Sequence, residues 1–208
     1  MSALQPKLGK VTFESEGAEG GPFHSRKLHV PSMVSGLTIG RGYDMKRKTA
    51  AKIVQDLTKA GLSKTDATTL SKAAGLSGPT AKNFIKTNKL ESFEITQQQQ
   101  VKLFDLTYNE EEAETKRLCT KPDVNAKFGT CNWQTIDSAI KQVLVDLKYR
   151  GDYTANIRDA LQKHVVANDT KGFLKEISDR SNWTTLKVPN DRFQRRINFF
   201  KSNTVIKP

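Results

Sequence analysis

Six of the chain's thirteen glycines (17, 20, 21, 36, 40 and 42) and two of its seven prolines (22 and 31) fall between Gly17 and Asp44. Proline removes a backbone donor, and glycine carries a large entropic cost in a helix, so a helix is excluded over most of this stretch. The short runs Lys27–Val30 and Gly36–Tyr43 suit strands joined by turns. After Asp44 the pattern changes to helical periodicity. Ile53, Val54 and Leu57 mark one face of a helix over Ala50–Ala60, with Gly61 as its C′ glycine. Ser63 with Asp66 opens a short helix that Gly75 stops, and Pro79 sits in the first turn of another carrying Phe84 and Ile85.

The run Gln97–Gln100 reads as the first turn of a longer helix. Thr96 is its N-cap, Gln99 occupies the capping-box position, and Val101, Phe104 and Tyr108 form the apolar face toward Arg117. The acidic run Glu110–Glu114 is a solvated face. The best-patterned segment begins at Trp133. There Ile136, Ile140, Val143, Leu144 and Leu147 recur at three and four, which predicts a central buried helix closed by Gly151. Ile157, Leu161 and Val165 mark the next helix, and Phe173, Leu174 and Ile177 a short one. Asn190 caps a last helix with Phe193, Ile197 and Phe200 inward and Arg192, Arg195 and Arg196 largely outward. The expected class is α+β and predominantly helical. It has an N-terminal tail over 1–10 and one domain over 11–204. Within that domain a small β-containing part spans about 17–50 and a helical body about 51–204, and a lobe boundary is expected near Asp44–Lys52.

With 34 Lys and Arg against 22 Asp and Glu, the formal net charge is +12, which points to a polyanionic partner. No window approaches the ~18 consecutive apolar residues of a membrane span, so no membrane insertion is expected. Met1–Lys10 has no apolar h-region, so no signal peptide is expected. Cys119 and Cys131 are either a disulfide closing Lys121–Thr130 or two separate thiols, one or both buried. Zinc needs about four ligands at short spacing. No histidine lies near the cysteines, so neither a metal nor a cofactor is expected.

Catalytic groups are often held where a regular element meets a loop. Here that junction holds Glu14, Glu16 and Glu19 on one side and Thr38 and Asp44 on the other. Solvated carboxylates are the bland account of the glutamates. Glu16 differs because Gly17 follows it directly, which places it at the end of the first helix. The negative end of the helix dipole would raise its pKa, as a general acid near neutrality requires. The segment Ser35-Gly-Leu-Thr-Ile-Gly-Arg-Gly-Tyr-Asp44 is the most specific in the chain. Its glycines permit tight turns and close ligand approach, and a strand there points Thr38 away from Ile39. It has neither the Gly-Lys-Ser/Thr ending of a phosphate loop nor the third glycine of a dinucleotide fingerprint.

Glu16-Gly17 ending a first helix, a short β region, and then Gly36-Leu-Thr-Ile-Gly-Arg-Gly-Tyr-Asp44 together resemble the active-site signature of phage-type lysozymes. The likeness is greatest to the pesticin-like muramidase branch, where the partner carboxylate follows the threonine by six positions, as Asp44 follows Thr38. The segment from Trp133 to Gly151 resembles that family's central helix, and Val188–Ile197 its Arg-rich C-terminal helix. Arg150 stands where related enzymes often have Asn. The resemblance implies a lysozyme-like fold of two lobes that hydrolyses the β-1,4 bond between N-acetylmuramic acid and N-acetylglucosamine in peptidoglycan. Glu16 would be the general acid, with Asp44 and Thr38 positioning the water. An inverting route needs its carboxylates about 6.5–9.5 Å apart, and a retaining one about 5 Å; inversion is expected.

Arg192 is expected either to pair with Glu16 or to be a solvated cation. Arg41 and Tyr43 are expected to line a sugar cleft, with a core anchor as the other reading of Tyr43. His24 and His29 read as incidental loop residues. Peptidoglycan is the expected partner of a monomer acting at the cell wall, in a target cell's periplasm or outside the cell. Delivery would be by a secretion system, uptake or phage lysis. An antibacterial toxin or effector, with an acidic immunity protein as a further partner, is preferred over a phage endolysin. Nucleic-acid binding is the rival from another class, but the basic residues are spread over every helix and match no recognition module. An inactive wall-binding relative is the third reading.

Overall fold

In the computed structural model, residues 4–21 and 24–205 are described, so Met1–Ala3 of the expected tail and Pro22 lie outside the described residues. The elements run α1 (Lys10–Ser15), β1 (Thr38–Ile39), β2 (Tyr43–Asp44), α2 (Ala50–Ala60), α3 (Lys64–Ser71), α4 (Gly78–Thr87) and α5 (Gln97–Cys119). They continue with α6 (Pro122–Phe128), α7 (Ser138–Arg150), α8 (Ala155–Val166), α9 (Thr170–Ser178), a 3₁₀ turn (Arg180–Trp183) and α10 (Asn190–Asn203). The fold is therefore predominantly helical, with one small two-stranded antiparallel sheet among the described residues, and the expected α+β class holds.

The chain divides into two compact units, Met1–Thr107 and Tyr108–Pro208, so the boundary lies inside α5 and not near Asp44–Lys52. The reason is burial. Helices α2 to α4 lay Ile53, Leu57, Leu70 and Ala81 onto the same core as Leu37, Ile39, Tyr43 and Met45 of the glycine-rich segment. The β element has no core of its own and joins the helices that follow it.

In the first unit, local chemistry sets the helix ends. Thr49 and Ser63 accept from backbone amides three residues on, and Gly61 closes α2 at φ 100°. Thr96 and Gln99 form the reciprocal capping box, at 3.1 and 2.9 Å. Gly36–Tyr43 is not one strand but a hairpin, because Gly40 and Gly42 take φ of 65° and 89° around Arg41.

In the second unit, α7 buries Ile140, Val143, Leu144 and Leu147 among Phe173, Trp183 and Phe200. Its helix starts at Ser138 with Asp137 as N-cap, so Trp133 and Ile136 belong to the preceding turn. Helix α6, opened by Pro122, is an element that apolar periodicity did not reveal, since only Val124 of its residues is buried. In α10 the N-cap is Pro189 and not Asn190. Arg192 and Arg196 point inward, 6% and 2% exposed. They converge on fully buried Asp146, with Arg192 Nη2 2.7 Å from Oδ1 and Arg196 Nε 2.5 Å from Oδ2, while Arg196 Nη2 also reaches Asp152 at 2.7 Å. Cys119 and Cys131 are free and both buried, which is the two-thiol alternative. Cys119 Sγ lies 3.0 Å from the Tyr153 hydroxyl.

Candidate functional site

Helix α1 is short and buries Val11, Thr12 and Phe13, with Glu16 as its C-cap. Its last carbonyls meet Arg41 from the hairpin turn. One guanidinium nitrogen donates to Phe13 O at 2.9 Å and also to the Gly17 carbonyl. The guanidinium carbon lies 4.4 Å from the centre of the Phe13 ring. Arg41 is 7% exposed, so it clamps the helix end and does not present donors to a ligand. Burial pushes its pKa below the ordinary value, against the opposing pull of Glu19 and, more weakly, of Glu14 and Glu16. The negative end of α1 is thus met by a cation. Tyr43 is also no cleft residue. At 1% exposure it is the core anchor, its hydroxyl donating to Asp56 Oδ2 at 3.0 Å.

A cleft of ≈ 550 Å³ opens beside this clamp, lined by Glu16, Gly17, His24, Ser25, His29, Val30, Pro31, Thr38 and Gly42. That volume is ordinary for a small-molecule site, roughly 300–1,000 Å³. Glu16 and Thr38, both singled out by the spacing, therefore share one cleft. Gly17 is required by proximity, since a Cβ there would lie 2.7 Å from Ser25 Cβ.

Thr38 stands in the middle of a short ladder. It exchanges both backbone hydrogen bonds with His29, at 2.9 and 3.0 Å, and lies opposite Asp44 in the β1–β2 register. Residues directly opposite in antiparallel pairing project from one face, so the His29, Thr38 and Asp44 side chains share a face. Asp44 is outside the cleft lining among the described residues. Its Oδ2 accepts from Gly36 N–H at 3.1 Å and its Oδ1 from Lys46 N–H at 2.7 Å. The approach is so close that a Cβ on Gly36 would lie 2.3 Å from Asp44 Oδ1.

This double acceptance makes a prediction for Asp44→Asn. Whichever way the amide is turned, its NH2 faces a backbone N–H donor. One hydrogen bond is lost and a half-buried or buried backbone amide faces another donor, at a cost of about 1–3 kcal/mol. Urea unfolding of the variant measures this, and a midpoint equal to wild type contradicts it.

Neither rival glutamate lines the cleft. Glu14 is exposed and pairs with Lys10 at 3.7 Å. Glu19 accepts from Arg26 Nε at 2.8 Å and from Gln100 Nε2 at 2.6 Å. Burial works to raise its pKa, but those hydrogen bonds and the charges of Arg26 and Arg41 outweigh it and hold the carboxyl low. Gln100, buried to 1%, also accepts from Ser25 Oγ at 2.7 Å, so the last residue of the glutamine run braces the cleft wall from behind.

His24 and His29, read from sequence as incidental, are both cleft residues. Their signal was weak because neither sits at a recognisable spacing from Glu16 or Thr38; only the backbone pairing of His29 with Thr38 brings it in. Arg192 lies in the second unit, 2.7 Å from Asp146, so the solvated reading does not hold for it. Among the described residues no group of three or more His, Cys, Asp and Glu is placed to hold a metal ion. No described helix is long and apolar enough to cross a membrane.

No curated protein gives a significant match to the chain. A family profile, described as "Domain of unknown function (DUF8812)", matches residues 9–197. That span takes in α1, the hairpin, every cleft residue and most of α10, and the chain belongs to that family.

Proposed function

We propose that the protein is a peptidoglycan hydrolase, an N-acetylmuramidase of lysozyme-like fold, with Glu16 as its general acid. The observation that carries this reading is that Glu16, held at the α1 C-terminus by the Arg41 clamp, and Thr38, the first residue of β1, line one cleft of ≈ 550 Å³. Hydrolysis of a glycoside passes through an oxocarbenium-like transition state. It needs one proton delivered to the leaving oxygen and a water or negative charge at the other face of the sugar. Protonated Glu16 gives its proton to the glycosidic oxygen. Thr38 Oγ1 donates to Gly36 O at 3.2 Å, so toward a water in the cleft it acts as an acceptor and turns that water's lone pair outward. Asp44, one step along the ladder, fixes the Gly36 turn that orients Thr38 and adds negative charge behind the water.

This arrangement favours an inverting route, in which water attacks directly. The net charge of +12 suits a wall rich in anionic polymers and raises the encounter rate with it. The resemblance to the pesticin-like branch supports an antibacterial role, with an acidic immunity protein as the natural inhibitor of the cleft. The reading is tested by incubating the purified protein with peptidoglycan sacculi and assaying reducing ends. Release that requires Glu16 supports it. No release from sacculi of several wall chemistries overturns it.

A further inference from the structure

We infer that His29 is the general base of the reaction, accepting the proton of the attacking water at Nε2; this rests on the glycosidase reading above. Three observations carry it. First, the imidazole is half-buried in the wall of the same cleft as Glu16. Second, the mutual backbone bonds between His29 and Thr38 place their side chains next to each other on one face. Third, His29 Nδ1 lies 2.9 Å from the Lys27 carbonyl. A carbonyl only accepts, so Nδ1 carries the hydrogen, and in the neutral imidazole Nε2 keeps its lone pair.

The other groups at the site are less suited to the task. His24 has both nitrogens engaged: Nδ1 accepts from Gly20 N–H at 2.7 Å, which leaves Nε2–H to donate to Glu94 at 3.0 Å. Asp44 holds two backbone amides, one on each oxygen. The Thr38 hydroxyl has its hydrogen directed to Gly36 O. A water seated beside Thr38 and His29 therefore donates one hydrogen to Thr38 Oγ1 and the other to His29 Nε2, leaving a lone pair for the anomeric carbon.

The step balances as follows. The bond from the anomeric carbon to the glycosidic oxygen breaks with the proton of Glu16 passing to that oxygen. The bond from water oxygen to the anomeric carbon forms with one water proton passing to His29 Nε2. The imidazolium then returns its proton to solvent, and Glu16 takes one up. Among the described residues of the cleft lining, the other ionisable groups are Glu16 and His24, with Asp44 beyond Thr38 on the ladder.

The test uses the full chain on purified sacculi, comparing wild type, His29→Ala and His29→Gln, with and without added imidazole. General-base catalysis contributes typically 10²–10⁴-fold. Both variants are expected to lose about that much kcat with KM little changed, and imidazole is expected to restore a part of the rate in His29→Ala alone. Gln keeps the size and hydrogen bonding of the side chain but takes no proton, so its loss separates base chemistry from packing. Far-UV circular dichroism and melting temperatures equal to wild type identify the variants as folded. Active wild type with either folded variant within about threefold of it overturns the role of His29 and leaves the hydrolase reading standing. If His29→Ala is slow and imidazole does not rescue it, the base assignment is likewise overturned. Inactive wild type overturns both.

Discussion

Glu16→Gln is expected to lower the release of reducing ends from peptidoglycan by about 10²–10⁴-fold, the range for loss of a general acid. Its melting temperature should stay at the wild-type value. The amide has the shape of the carboxyl and cannot give up a proton to a leaving oxygen. The helix end is held by Arg41 through the Phe13 and Gly17 carbonyls, which the substitution leaves in place. Glu14→Gln is the internal control: Glu14 is on the same helix, exposed, and absent from the cleft lining among the described residues. Equal activity of wild type and Glu16→Gln, or a larger loss in Glu14→Gln, would move the acid elsewhere.

Asp146→Asn should be the most damaging single change to stability. Asp146 is fully buried between Arg192 and Arg196. Burial pushes its pKa up, but the two guanidinium charges and their hydrogen bonds prevail and hold it below the ordinary 3.8. Removing one partner of a buried charge cluster costs about 3–5 kcal/mol, since both guanidinium groups stay desolvated and lose the carboxylate they share. The sign of the pH dependence follows from a lowered carboxyl. The stabilisation is complete above pH 3.8 and is lost as pH falls through the lower value of the folded state. Wild type should thus weaken steeply in acid, and Asp146→Asn should have lost that part of the slope. Both tryptophans, Trp133 and Trp183, lie in the second unit, so their fluorescence during urea unfolding reports on this cluster directly. A change below about 1 kcal/mol, typical of an exposed pair, would contradict the account.

The helices were legible wherever a one-sided apolar stripe and a cap coincided. Ala50–Ala60 and its Gly61 terminus are the clearest case. Helix α6 was hidden because it buries one residue and has no stripe. The inward turn of Arg192 and Arg196 was hidden for the opposite reason. An arginine in a helical pattern is ordinarily solvated, and it is Asp146 on α7 and Asp152 just beyond it, far away in sequence, that hold them inward. The same distinction governs the site. The meeting of Glu16 and Thr38 in one cleft was legible because Gly17 and the glycines around the hairpin mark places where backbones approach closely. Arg41 and Tyr43 lie in that same conspicuous segment, yet they face the helix end and the core. The segment's specificity is therefore partly structural. His29 was invisible because its relation to Thr38 is a backbone pairing across a loop, which no local spacing encodes.

Mass analysis of the fragments released from purified sacculi tests the central claim most directly, because it identifies the bond that is cut. Cleavage by water between N-acetylmuramic acid and N-acetylglucosamine should give disaccharide-peptides ending in a reducing muramic acid, and Glu16→Gln should give about 10²–10⁴-fold less of them. Anhydro-muramic ends, free stem peptides, or intact glycan strands after prolonged incubation would contradict it.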